Sequence, residues 1–120
     1  MELEVKRWWE QARQDLGTAH YLFEGKKFKE ASFFCQQAAE KSLKAVLIKK
    51  EKKIIKIHDL VKLAQLVHLD PLLLPDCKQL TFVYIDARYP DTGQAHYSQE
   101  ESNNDLERAA RILKWAEKNI

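Results

Sequence analysis

Apolar residues recur at steps of three and four along most of this chain, which is the spacing of an α-helix. The first such stretch covers residues 3–24, and Gly25 is predicted to end it in the left-handed conformation. The second covers residues 28–50 and carries two apolar stripes around its circumference. A helix with two apolar sides is buried on more than one face, so this one is predicted to be central or shared with a partner chain.

Three further helices are predicted in the second half of the chain. A short helix covers residues 59–69, and the next covers residues 75–88, starting at a proline that suits a first helical turn. A capping box that begins at Ser98 precedes the last helix, which continues to Asn119. Short connections between long helices favour antiparallel neighbours. We therefore expect an all-α fold, an up-and-down four-helix bundle with an additional short helix, in one domain over residues 1–120.

The composition narrows the class of protein. Apolar residues make up 45% of the chain and charged residues 32%, which is ordinary for a soluble globular domain. No apolar run approaches the roughly 20 residues that span a bilayer, and the N-terminus has no signal-peptide pattern. We therefore expect a cytoplasmic protein with no membrane partner. Cys35 and Cys77 lie in apolar stripes and not in a Cys/His cluster, so they are predicted to be buried free thiols, and zinc is excluded.

Charge is unevenly distributed, although the formal net charge is only +2. Residues 41–56 contain seven lysines and one glutamate, whereas residues 90–107 contain five acidic residues and no basic one. Such asymmetry creates a local electrostatic field even in a nearly neutral protein. The basic segment 49–56 is interpreted as a solvated connector, and the basic region as a whole favours an anionic partner such as a nucleotide or RNA.

The first candidate site is a polar stripe on the second predicted helix. The chain has no phosphate-binding loop, no nucleophile elbow and no metal-binding helix motif, so isolated polar groups carry the chemistry. The stripe consists of Gln36, Gln37, Glu40, Lys41 and Lys44. Two interpretations are open. Either this is a solvent-exposed face on which Glu40 pairs with Lys44, or it is a groove whose lysines bind phosphate and whose amides contact base edges.

The second candidate site surrounds Arg88. Arginine suits bidentate phosphate contact, and His96 could remove a proton from a ribose 2′-hydroxyl while Arg88 holds the scissile phosphate. Tyr84, one turn before Arg88, and Tyr89 beside it could stack on a base. The alternative is that Arg88 is a helix C-terminal cation and His96 a surface loop residue. His58, which precedes a predicted helix, is interpreted as a helix-start residue.

Four groups of residues, spread over nearly the whole chain, form one pattern. They are Trp9, Ala12, Asp15, Leu16 and Ala19; Gln37-Ala38-Ala39-Glu40-Lys41 and Leu43-Lys44-Ala45, with Ala31, Phe33 and Phe34; His58-Asp59-Leu60; and Arg88-Tyr89-Pro90-Asp91. In these residues the chain resembles the HEPN family of small helical domains. The resemblance implies a four-helix up-and-down bundle with an additional short helix, commonly a homodimer. It also implies a cytoplasmic protein, often encoded beside a minimal nucleotidyltransferase, in pairs that look like toxin–antitoxin systems.

The resemblance also suggests how such a domain acts. Members of the wider family are metal-independent ribonucleases with an arginine and a histidine separated by four to six residues near the dimer interface, and others bind nucleotides without cleaving them. Arg88 matches the arginine, but seven residues separate it from His96, and Tyr97 follows His96 directly where the toxin form has one residue between the two.

Three functions are therefore carried forward. The leading hypothesis is a homodimeric nucleotide- or RNA-binding module with a nucleotidyltransferase partner, binding through Gln37, Lys41, Lys44, Tyr84, Arg88 and Tyr89. The alternative is a metal-independent ribonuclease toxin that uses Arg88 and His96. The third is a purely structural subunit of a complex. No cofactor or metal is expected for any of them.

Overall fold

The structure is a computed structural model that describes residues 2–53, 55–90 and 97–120. The described residues form five α-helices, with a 3₁₀ turn at Pro71–Leu73 before the fourth. The helices are α1 Leu3–Glu24, α2 Phe28–Glu51, α3 Leu60–Val67, α4 Leu74–Asp86 and α5 Gln99–Glu117. The predicted all-α bundle with a short additional helix is confirmed, and the predicted boundaries differ from these by at most two residues.

The helix ends show where local sequence determined the structure. Asp59 caps α3 by accepting from the Val61 and Lys62 amides, and Ser98 caps α5 by accepting from the Glu101 amide at 3.1 Å, as predicted. The prediction that Gly25 adopts the left-handed conformation was wrong. Gly25 has φ −82°, and its amide still donates to the Tyr21 carbonyl. The chain therefore reverses one residue later, at Lys26, whose φ is 61°.

Helix α2 is the centre of the bundle. It packs against all four of the other α-helices, and every residue from Ser42 to Ile48 is buried. Fully buried alanines on α2, among them Ala38 and Ala45, leave room for the neighbouring helices to approach closely. The two apolar sides of α2 are thus covered within one chain, which decides between the two interpretations of its pattern in favour of a central helix.

Both cysteines lie in this core. Cys35 on α2 and Cys77 on α4 are buried and free, as predicted. Burial raises the pKa of the Cys77 thiol to about 12 and raises the pKa of Cys35 as well, so neither forms a thiolate readily. Among the described residues, no helix has both the length and the apolar character that crossing a bilayer requires.

Candidate functional site

Glu40 is the hub of a buried polar cluster on α2. Its carboxylate accepts from Gln36 Nε2 at 3.0 Å and from Lys44 Nζ at 2.8 Å, and it faces His58 Nδ1 at 3.1 and 3.2 Å. Gln36, Glu40 and Lys44 are all at most 5% exposed. The predicted Glu40–Lys44 pair is therefore present. The prediction that it lies on a solvent-exposed face was wrong, because the central position of α2 buries this side of the helix.

Lys41 and Gln37 also have partners within the chain. Lys41 Nζ lies 2.6 Å from Asp15 Oδ2 on α1, and Gln11 donates to the other oxygen of Asp15 at 2.9 Å. Gln37 Nε2 donates to Gln36 Oε1 at 2.6 Å. A phosphate that bound to Lys41 would have to compete with the buried Asp15 carboxylate for the same ammonium group.

Arg88 is held differently, by an aromatic ring. Its guanidinium carbon lies 4.9 Å from the centre of the Tyr84 ring, and its Nη1 donates to the Tyr84 hydroxyl at 2.9 Å. Tyr84 lies four residues earlier, so the two side chains share one side of α4 and its C-terminal turn. Arg88 itself is exposed. The cation–π contact therefore orients the guanidinium without neutralising its charge.

His58 joins the buried cluster to Arg88. Its ring stacks on Tyr84 with centroids 5.3 Å apart and an interplanar angle of 14°, while its Nδ1 faces Glu40. Contacts thus run without a break from Lys44 through Glu40, His58 and Tyr84 to Arg88. The sequence indicates His58 only as a helix-start residue, and the spacing of His58 carries no signal of its contacts with Glu40 and Tyr84. The one hint was its place in the family-like His58-Asp59-Leu60 triplet.

A cleft of about 460 Å³ opens beside Arg88, between the N-terminal half of α2 and the end of α4. Its lining combines aromatic rings with cations and one carboxylate: Lys29, Glu30, Phe33, Phe34, Ala87, Arg88 and Pro90. Lys29 Nζ donates to the Tyr89 carbonyl at 2.9 Å and so ties α2 to the segment after α4. Rings that can stack on a base next to a guanidinium that can hold a phosphate suit a nucleotide.

The remaining predicted residues differ in accessibility. Tyr89 is 58% exposed beside Arg88, whereas Tyr97 is 5% exposed and donates its hydroxyl to Asp86 at 2.7 Å. Burial and the Asp86 carboxylate raise the pKa of Tyr97, so the hydroxyl stays neutral and faces inward. His96 lies outside the described residues. Of the predicted binding residues, Tyr84 and Arg88 contact each other and Tyr89 follows Arg88 in the chain, while Gln37, Lys41 and Lys44 lie along α2.

The described residues thus form a bundle of five α-helices with an aromatic and cationic cleft at the end of α4. Comparison with known proteins gives the family to which such a bundle belongs. The model of the HEPN domain matches residues 5–119, and the chain belongs to the HEPN domain family. It is similar to the crystal structure of TT1696 from Thermus thermophilus, with 28% identity, a TM-score of 0.91, and coverage of 99% of this chain and 100% of that one. It is also similar to ST0689, an archaeal HEPN homologue, with 28% identity, a TM-score of 0.78 and 98% coverage of both chains. Comparison with curated proteins gives no match.

Proposed function

We propose that the chain is an HEPN-type nucleotide- or RNA-binding module that acts as a homodimer. The observation that carries this proposal is Arg88, an exposed guanidinium oriented by Tyr84 at the edge of the aromatic cleft. Among the described residues, no carboxylate lies within salt-bridge distance of Arg88. A guanidinium has five N–H donors, and the bond to Tyr84 uses one of them. The others suit the oxygens of a phosphate.

The apolar part of the cleft supports a nucleotide over a simple anion. Phe33 and Phe34 are half-buried and lie edge to face, with ring centroids 5.9 Å apart. Stacking of one base on an aromatic side chain contributes about 1–3 kcal/mol in proteins that bind single strands. A ligand with both a base and a phosphate would therefore use both halves of the cleft, whereas inorganic phosphate would use only Arg88.

Binding and cleavage are tested in the same mixture. Purified protein is titrated with ATP, GTP and a short single-stranded RNA in EDTA, and the RNA is then run on a denaturing gel. We expect saturable binding and intact RNA. RNA that is cut by wild type but not by Arg88→Ala would favour the metal-independent ribonuclease that uses Arg88 and His96. Absence of binding to all three ligands would leave a structural subunit.

The homodimer is supported by the outer face of α4. Phe82 and Ile85 lie one turn apart and are 56% and 57% exposed, and Tyr89, which follows α4 in the chain, is also exposed. Contiguous exposed apolar residues on a small protein commonly mark an interface, and two-fold dimers are the most frequent assembly. The apolar sides of α2, which could have been shared with a partner chain, are covered within this chain, so the support for a dimer comes from α4.

Light scattering tests the dimer directly. Wild type should have twice the 14.1 kDa mass of one chain at micromolar concentration. Ile85→Glu places a charge on the proposed interface and should give a monomer, whereas Glu10→Lys, an exposed change on α1, should leave the dimer intact. A monomeric wild type would remove this part of the proposal.

The nucleotidyltransferase partner and the toxin–antitoxin role are supported by the family alone. HEPN domains are often encoded beside minimal nucleotidyltransferases, so we propose that such a protein binds this one. Co-expression of the HEPN chain with a nucleotidyltransferase encoded next to it should yield one complex on size exclusion. Separate elution of the two proteins would argue against the partnership, and growth that is unaffected by the HEPN chain alone would argue against a toxin.

A further inference from the structure

His58 presents its two ring nitrogens to different environments. Nδ1 faces the Glu40 carboxylate, whose side chain is 4% exposed, while the His58 side chain as a whole is 55% exposed. Nε2 lies on the edge of the ring opposite Nδ1, so it points away from the buried carboxylate. Among the described residues, Glu40 thus holds Nδ1, and Nε2 has no hydrogen-bond partner.

The contacts of Glu40 determine which nitrogen carries hydrogen. Glu40 accepts from both Lys44 and Gln36, so it acts as a carboxylate, which cannot donate to His58. Nδ1 must therefore carry the hydrogen, and Nε2 of the neutral ring is left as an acceptor. An anion near Nε2 would favour a hydrogen on that nitrogen as well. The protonated ring could then donate from Nδ1 to Glu40 and from Nε2 to the anion at the same time.

Charges of both signs surround the His58 ring. Glu40 is the anion beside it, Lys44 on α2 and Arg88 after α4 are the nearby cations, and Tyr84 contributes a neutral face. A phosphate near Arg88 would offset that cation and add its own attraction for the imidazolium. The His58 ring centroid and the Arg88 guanidinium carbon lie 5.3 and 4.9 Å from the centre of the Tyr84 ring, so they are at most about 10 Å apart. One strand that places a phosphate on Arg88 can therefore bring a neighbouring phosphate to the imidazole.

We propose that His58 is a second phosphate-contacting residue beside Arg88, and that it binds a nucleic-acid phosphate by taking up one proton from solvent. Glu40 is the positioning residue that holds Nδ1. This inference rests on the proposed function, because it assigns a second contact to the ligand that Arg88 binds. It predicts that ligand binding is coupled to proton uptake.

Calorimetry in matched buffers measures that uptake. The probe is a single-stranded RNA of about ten nucleotides with hydroxyl groups at both ends, whose phosphodiesters do not titrate near neutral pH. Titrations at one pH in buffers of different ionisation heat give a slope equal to the number of protons taken up. We expect a positive slope for wild type. The same slope should persist, with weaker binding, in Arg88→Ala.

The key variant is His58→Asn, whose amide nitrogen can replace Nδ1 as a donor to Glu40 but has no atom at the Nε2 position. We expect its RNA affinity to fall roughly tenfold, as for loss of a charged hydrogen bond, and its slope to fall to zero, with little change in melting temperature. His20→Asn, an exposed histidine on α1, is the matched control and should behave as wild type.

The outcomes separate this inference from the proposed function. Wild-type binding with no proton uptake, or an unchanged slope in His58→Asn, would overturn the role of His58 while Arg88 binding stands. If wild type does not bind the RNA, or if Arg88→Ala binds it as tightly as wild type, the proposed function fails and the inference fails with it.

Discussion

Two cations of this protein, Lys44 on α2 and Arg88 after α4, were both predicted to bind phosphate, and the structure places them in opposite surroundings. The Lys44 side chain is 6% exposed and lies 2.8 Å from the Glu40 carboxylate. Arg88 is exposed and contacts the ring and the hydroxyl of Tyr84. Lys44 is therefore neutralised inside the bundle, whereas Arg88 is oriented by a neutral group and keeps its charge toward solvent.

The difference shows what a polar stripe on a helix means when the helix is central. A carboxylate and a lysine four residues apart on a helix can form an ion pair, whether the helix face is exposed or buried. On α2 the neighbouring helices remove the water, so the pair becomes part of the core and must stay complete. Changes near Lys44 should thus mainly affect stability, and changes at Arg88 should mainly affect ligand binding.

The largest effect on stability is expected from Glu40→Ala. The change leaves the Lys44 ammonium buried without its carboxylate, which costs about 3–5 kcal/mol in comparable buried pairs. Thermal unfolding followed by circular dichroism should show a melting temperature lower by about 10 °C or more. Glu10→Ala on the exposed side of α1 should be neutral. The double change Glu40→Leu/Lys44→Met removes both charges and should melt closer to wild type than Glu40→Ala does.

A smaller loss is expected from Lys41→Ala. It removes the ammonium from Asp15, whose side chain is 6% exposed and would keep only the Gln11 amide. An under-satisfied buried polar group costs about 1–3 kcal/mol, so the variant should melt several degrees below wild type. Its affinity for RNA should be unchanged. A stable variant that binds RNA weakly would instead place Lys41 in the ligand site.

Tyr97→Phe should cost about 1 kcal/mol, the value of one hydrogen bond, here to Asp86. The change should also alter the pH dependence of stability. The folded state raises the pKa of Tyr97 above its usual value of 10.0, so its contribution is full below that pH and is lost as pH rises. Urea unfolding above pH 10 should therefore show a shallower loss of stability in Tyr97→Phe. An identical slope in both proteins would contradict this.

The smallest effect is expected from the double change Lys49→Glu/Lys53→Glu at the end of α2. Both side chains are exposed, so the free energy of unfolding should stay within about 0.5 kcal/mol of wild type. RNA binding should weaken a few-fold at low salt and converge with wild type at high salt, because such contacts act through counterion release. A salt-independent loss would point to a direct contact.

The sequence predicted the helices well because each rests on local information. Apolar spacing, the Ser98 cap and Pro75 in the first turn of α4 are all properties of short segments. The polar cluster was harder to predict, since the burial of Glu40 and Lys44 depends on how other parts of the chain pack around α2, which no local pattern specifies. His58 shows the same limit, because its contacts with Glu40 and Tyr84 join residues far apart in the chain.

The candidate site was predicted in part for the same reason. Arg88 lies four residues after Tyr84, in the turn that follows α4, so their proximity follows from helical spacing carried one turn past the helix end. The cleft beside them depends on Phe33 and Phe34 of α2, which in the sequence are simply apolar residues of that helix. Only the packing of α2 against α4 brings these rings to Arg88.

The most direct test of the account is a paired measurement on Arg88→Ala, with Arg13→Ala on the exposed side of α1 as the charge-matched control. Each protein is melted and then titrated with nucleotide and single-stranded RNA. Removing a helix-terminal cation costs about 0.3–1 kcal/mol, so Arg88→Ala should melt within a few degrees of wild type. It should nevertheless bind at least several-fold more weakly, while Arg13→Ala binds as wild type. If Arg88→Ala unfolds the domain or leaves binding untouched, the account is contradicted, and the lysines of α2 become the next candidates.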